Sequence, residues 1–455
     1  MRIYSDYQTI NLPWLTAIPA HWCIDRLKNL LYERKENNKP IKTRGILSLT
    51  NTRGVIPYSQ KGNIGNRSKE NLEDYHLAYP NDLVLNSMNV IIGSVGVSSY
   101  YGAISPVYYA LVSRGTISIK YCEYIFRLPT FEESLKGLGN GILEIRRRIP
   151  MTRLNNVALP IPPREEQDQI VRFLDWKVSE INRLINIKHK EIGLLKEQLA
   201  VYISKIIVSG VIANVSIKPC DIEWIGAIPD HWDVMRCKYL FSERDERSVE
   251  GKEPHLSMSQ KYGLIPDEQL DERRMLSESY AGAKICYKND LVLNRLKAHL
   301  GVFALAPQLG VISPDYTVLM PNTDRILPEF AEMVLKSQRC RRELRIRVRG
   351  VTEGFWRLYT DDFNTISIPV PPLEEQQQIM DAVSSYIDKM KQYESCLTNE
   401  IEVLHEFRTR LISDVVTGKI DVRGIEIPEY EDTAEEADTD SEAEAEDLDE
   451  GGEEI

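Results

Sequence analysis

Two stretches of the chain place apolar residues at alternating spacings of four and three. The first passes through Leu174, Val178, Ile181, Ile185, Lys188, Ile192, Leu195, Leu199, Tyr202 and Ile206. The second passes through Val383, Ile387, Met390, Glu394, Leu397, Ile401, Leu404, Arg408, Leu411 and Val415. A mean repeat of 3.5 residues keeps one narrow stripe on one side of a helix, the signature of a coiled-coil seam. The run from Glu165 to Val208 would be roughly 66 Å long at 1.5 Å per residue, a spacer rather than a core helix. Both runs open on prolines and an acidic pair, Pro162-Pro163 with Glu165-Glu166 and Pro371-Pro372 with Glu374-Glu375. Proline is tolerated at a helix start, and carboxylates suit the positive end of the helix dipole. Elsewhere, short apolar runs such as DLVLN and VYYALV alternate with Gly, Pro and Asn, which predicts β-rich globular portions with a few helices.

The chain repeats itself. WLTAIPAHW at Trp14 returns as WIGAIPDHW at Trp224, and NDLVLN at Asn81 returns at Asn289. ISPVY at Ile104 returns as ISPDY at Ile312, and LPIPPREEQDQI at Leu159 returns as IPVPPLEEQQQI at Ile368. Four matches in one order at nearly one offset mark an internal duplication. The expected fold is α+β: two duplicated β-rich arms joined by two long helices in an antiparallel coiled coil with pseudo-twofold symmetry. Its expected parts are arm 1 (1–160), a helical spacer (161–212), arm 2 (213–369), a second spacer (370–425) and an acidic tail (426–455). If the seam layers pair so that their numbers sum to nine, Lys188 faces Glu394 and the pair fixes the register.

Charge changes this picture in one place. The chain has 56 basic and 68 acidic residues, a net charge of -12, but from Glu426 onward it holds 16 acidic residues and no Lys or Arg. The remainder carries 56 against 52, or +4. Such a tail buries little apolar surface and is expected to be disordered. Seven scattered cysteines with no CxxC pair or zinc spacing read as reduced thiols. With no long apolar run and no secretory pattern in MRIYSDYQTI, the expectation is a cytoplasmic protein without membrane association.

Motifs of nucleotide chemistry are missing. The sequence has no GxxxxGK[ST] phosphate loop and no [ND]PP[YF] element, and GLGNG at Gly137 reads as a loop. The duplicated layout, the PPxxEQ starts at Pro162 and Pro371 and the IPxHW segments at Ile18 and Ile228 together resemble the specificity subunit of type I restriction-modification systems, over residues 1 to about 423. That resemblance implies two target-recognition domains, each reading one half of a bipartite site in double-stranded DNA. It also implies docking of two methyltransferase and two restriction-translocase subunits. S-adenosylmethionine, ATP and Mg belong, on this resemblance, to those partners, and the chain itself has no catalytic centre. Rival readings are a duplicated coiled-coil scaffold that binds only proteins, and an enzyme with a new kind of site.

DNA contact needs cations for phosphates and amide, guanidinium or hydroxyl groups for base edges. In arm 1 the candidates are Asn51 and Arg53, then Asn86 and Asn89 after the repeated strand, and Arg146, Arg147 and Arg148 with Arg153. In arm 2 they are Ser259 and Lys261, Arg295 and Lys297, and Arg339, Arg341, Arg342, Arg345, Arg347, Arg349 and Arg357. Alternation of Arg345, Arg347 and Arg349 suggests three guanidiniums on one strand face. His21 and His231, between Pro and Trp, read as structural.

Overall fold

The computed structural model describes residues 2–50, 53–61, 71–139, 148–259, 262–269, 280–350 and 356–434. The chain divides into two compact units, Met1–Lys190 with Leu397–Ile455, and Glu191–Cys396. Six helices matter below: α1 (Ile119–Phe126), α2 (Pro129–Leu135), α3 (Arg164–Ser209), α4 (Pro328–Lys336), α5 (Gln338–Arg345) and α6 (Leu373–Val416). The units do not follow the division into arms and spacers, because each long helix contributes one part to each unit.

In unit 1, arm 1 holds an antiparallel four-stranded sheet in the order Leu31–Glu33, Tyr108–Ser113, Leu83–Asn86, Val95–Val97. The repeated NDLVLN supplies an inner strand, whose Leu83, Val84 and Leu85 are fully buried. Asn81 takes a left-handed φ of 69° at the turn into that strand, a conformation Asn adopts more readily than other non-glycine residues. Buried Asp82 then receives Arg34 at 2.8 and 2.9 Å, and Tyr79 lies under the same guanidinium at 4.3 Å. A second small core joins Leu47, Leu49, Val55, Ala78, Val84, Ile104 and Ala110.

In unit 2, arm 2 repeats this plan with Phe241–Arg244, Tyr316–Pro321, Leu291–Asn294 and Phe303–Leu305 in the same order. Asn289 has φ 71°, and Asp290 receives Arg244 over Tyr287. Leu256, Leu264, Cys286, Val292, Ile312 and Val318 form the matching small core. Burial of Cys122, Cys237 and Cys340 pushes their thiols well above the ordinary range, and Cys286 up to about 12, so all four behave as apolar core groups.

Within unit 1 the first part of α3 and the last part of α6 run in opposite directions. Lys188 Nζ lies 2.7 Å from Glu400 Oε2, and Arg408 Nη1 lies 2.6 Å from Asn182 Oδ1. Leu174, Ile181, Ile185, Leu397, Ile401 and Leu411 of the seam are buried there. These contacts put the fifth layer of α3 beside the sixth of α6, so layer numbers sum to eleven rather than nine. Within this unit the carboxylate on Lys188 is Glu400, six residues beyond the expected Glu394, which belongs to unit 2. The sum of nine came from matching the two polar positions; the full run of apolar layers aligns better at eleven. In unit 2 the rings of Tyr202 and Tyr386 stack at 4.2 Å, in the same register.

The tail departs from expectation over its first nine residues. Residues 426–434 lie along α3 in unit 1. Ser179 and Asn182 donate to the carbonyls of Glu431 and Thr433 at 2.7 and 3.0 Å, Asn186 donates to Ala434 at 2.9 Å, and Thr433 N–H returns a bond to Ser179. Three small polar side chains, all buried, satisfy a strap of extended backbone that composition alone marks as unfoldable. The rest of the tail lies outside the described residues.

Candidate nucleic-acid interface

Each arm is fixed to a long helix by the residues that form the repeated motifs. In unit 1 buried Glu166 accepts from Trp22 Nε1 at 3.1 Å, from Tyr4 hydroxyl at 2.5 Å, and pairs with His21 Nε2 at 2.7 Å. Gln167 accepts from Ser118 N–H at 2.7 Å and donates to the carbonyls of Pro162 and Thr116. In unit 2 Glu375 takes Trp232 Nε1 at 3.0 Å and His231 Nε2 at 2.7 Å. Gln376 accepts from Leu327 N–H and donates to Pro371 and Arg325. The glycines that end the helices fit the same packing: a Cβ on Gly418 would come within 2.4 Å of Pro19, and one on Gly210 within 2.7 Å of Glu375. Both glycines have left-handed φ, 75° and 68°, as helix C-terminal caps require. PPxEEQ and IPxHW are thus two halves of one anchor. Sequence reading took the EEQ acids only as dipole partners; their recurrence 144 residues beyond each IPxHW histidine, give or take one, was the signal available.

The divergent groups lie elsewhere in each arm. In arm 2, α5 packs against the turn Ala298–Leu300, and Arg341 covers Gly301 at the end of that turn, which Lys297 opens. Arg349 and Arg357 form a two-residue antiparallel bridge, and Leu358 N–H bonds Arg295 carbonyl at 3.0 Å, which closes the loop onto the turn. His299 lies edge-on to Trp356 at 5.4 Å. Burial, and then the nearby charge of Arg345, hold its imidazole below the ordinary value.

Several of the candidate cations serve the fold instead. Arg345, Arg347 and Arg349 do not share a strand face: Arg345 ends α5, and the two that follow leave it in a turn and a bridge. The four-residue spacing of Glu343 and Arg347, with Leu344 buried, favours a helical turn over the alternation assumed from three arginines alone. Arg347 is held by Glu343 at 2.6 Å and Thr365 at 3.1 Å, and Arg349 is paired with Asp362. Arg295 is clamped on Asp315, and Arg357 lies 3.8 Å from the same carboxylate. Asn86, like Asn294, turns its side-chain oxygen back onto the following backbone N–H, so it builds the turn. Arg53 donates to Gln60 carbonyl at 3.0 Å and Arg153 to Leu138 carbonyl at 3.1 Å. Asn89 is half-buried at the start of the arm 1 turn, Arg148 is exposed, and Ser259 accepts from Tyr262 N–H. Asn51, Arg146, Arg147 and Lys261 lie outside the described residues. Among the described residues of arm 2, Lys297, Arg342 and Arg345 are exposed with no carboxylate partner, and Arg341 donates only to Lys336 carbonyl. No group of described residues could hold a metal ion, and no described helix is long and apolar enough to cross a membrane.

Comparison with known proteins converges on one family. Residues 229–403 match the family described as "Type I restriction modification DNA specificity domain". The chain is 23% identical over 431 residues to the MjaX type I restriction enzyme specificity subunit of Methanocaldococcus jannaschii, covering 89% of this chain and 95% of that one. It is 23% identical over 320 residues to the MjaVIII specificity subunit of the same organism, covering 66% and 71%. A solved structure from work on complex assembly and conformational transition of the type I R-M system superposes with a TM-score of 0.61 at 12% identity, covering 89% of this chain and 99% of that chain, and so shares the fold. The paired anchors and the divergent turns they carry thus belong to a chain that is similar to the specificity subunits of type I restriction-modification systems.

Proposed function

We propose that arm 1 and arm 2 each read one half of a bipartite site in double-stranded DNA, and that α3 and α6, as an antiparallel coiled coil of pseudo-twofold symmetry, hold the halves apart. The observation that carries this reading is the contrast inside each arm. The anchor is the same in both copies, whereas the turn after the repeated strand changes from Ser87-Met88-Asn89 to Arg295-Leu296-Lys297. Two different half-sites demand that combination of one scaffold and two reading surfaces. The chain's role is recognition. S-adenosylmethionine, ATP and Mg then act on two methyltransferase and two restriction subunits, in the cytoplasm.

Apolar side chains off the seam support docking of the methyltransferase subunits on the long helices. Leu184, Ile187, Val403 and Phe407 are exposed in unit 1, and Leu194, Val201 and Tyr393 in unit 2. The test exchanges residues 1–158 for the matching arm of a relative and maps methylated adenines with the partner subunits present. One half of the site should change and the other stay; changes in both halves would refute independent reading. Inserting seven residues into both helices lengthens them by about 10 Å, about three base pairs at 3.4 Å each, and should widen the gap between unchanged halves.

A further inference from the structure

The two arms present opposite charge at equivalent places. α2 and α5 occupy the same position: Leu135 and Leu344 are both fully buried, and each helix packs on the turn after the inner strand. A Cβ on Gly93 would come within 2.6 Å of Glu132, and one on Gly301 within 2.6 Å of Arg341, so these two side chains cover the same turn. Counting from this match, arm 2 carries Lys297, Arg341, Arg342 and Arg345 where arm 1 carries Asn89, Glu132, Glu133 and Lys136, which is +4 against -1. In arm 1 the exposed carboxylate Glu133 is neutralised by Lys136, and Glu132 lies half-buried over the turn, its carboxyl raised by burial. In arm 2 the four cations are exposed, and none has a carboxylate partner among the described residues.

Four unneutralised cations around one turn repel each other, and a regular polyanion relieves that repulsion. We infer that the arms hold DNA unequally: arm 2 grips the phosphate backbone through Lys297, Arg341, Arg342 and Arg345, and the matching face of arm 1 makes no phosphate contact. This rests on the reading of the chain as a DNA-specificity subunit. The salt dependence carried by this face then belongs to arm 2, and the matching face of arm 1 adds none.

The test uses the full chain assembled with its methyltransferase subunits, and DNA carrying the methylated site or an unrelated sequence, titrated over a salt series. Each of Arg341→Ala, Arg342→Ala and Arg345→Ala should lower the slope of log affinity against log salt by about 0.9, and weaken binding to both DNAs. Glu132→Ala and Glu133→Ala should leave the slope unchanged. Unchanged slopes in the arginine variants, or a reduced slope in the glutamate variants, would overturn the inference. Loss of methyltransferase binding at an unchanged slope would also overturn it, and would assign the patch to an acidic protein surface. If the unaltered complex prefers no DNA sequence, the specificity reading itself fails, which separates that failure from failure of the asymmetry.

Discussion

Unit 1 closes Glu166 on three donors, Tyr4, Trp22 and His21, whereas unit 2 gives Glu375 only Trp232 and His231 and leaves Glu375 Oε1 buried without a partner among the described residues. The position matching Tyr4 is Asn214, which sits at a left-handed φ of 61° in the segment that follows α3. Unit 1 also has the strap of residues 426–434 on Ser179, Asn182 and Asn186, where α6 carries Asp388, Lys391 and Ser395. The comparison teaches that the joint between arm and helix is alike in the two units and that the differences lie around it: four exposed cations at the turn of arm 2 and, among the described residues, a third donor on the anchor carboxylate and the strap in unit 1.

The largest expected effect concerns the joint. Glu166→Ala strands two buried donors, Tyr4 and Trp22, and Glu375→Ala one, Trp232, at about 1–3 kcal/mol for each group left unsatisfied, while the exposed His21 and His231 turn to water. Both variants should unfold at clearly lower temperature, with Glu166→Ala the worse by about one such group. Equal losses would mean that Tyr4 adds nothing. Hydrogen exchange is the suitable readout, because it reports the units separately where a single melting curve would not.

Ending the chain after Ile425 removes the strap and leaves Ser179, Asn182 and Asn186 to water. A loss of about 1–2 kcal/mol is expected, at roughly 0.5 kcal/mol per exchanged hydrogen bond, visible as faster exchange in unit 1 alone. Ending it after Ala434 should cost no stability. If both truncations behave alike, the strap does not hold.

Smaller still is the effect of Lys188→Glu or Glu400→Lys, since this ion pair is partly exposed and such pairs are worth about 0.2–1 kcal/mol. The double reversal should recover what either single change loses. Recovery with Glu394→Lys instead would return the seam to a layer sum of nine.

The last difference is in acid. In the folded chain His299 is held below the ordinary 6.5 by burial and then by Arg345, so in that range the unfolded state binds more protons. Stability from this source is complete above pH 6.5 and falls as pH drops through the folded value. Arm 1 has Ile91 at the matching position and should lack the effect. Exchange rates of the two turns compared between pH 7 and pH 5 decide it; equal acid sensitivity would refute the assignment to His299.

Much of this protein is legible from its residues. The four-three spacing marks both long helices, because only a helix returns apolar side chains to one stripe at that period. The internal matches reveal two copies, and DLVLN announces a buried strand, since an unbroken apolar run has no face to give to water. What the sequence could not decide depends on partners distant along the chain. Whether an arginine is available for phosphate or already held by Asp315, Glu343 or Asp362 is set by which loops meet, so Arg295 and Arg347 read the same as Arg342 in one dimension and differ in three. The register of the helices and the seating of an acid-rich strap on Ser179 were likewise decided by tertiary contact, for a hydrogen-bonding group reveals its need in sequence but its partner only in space.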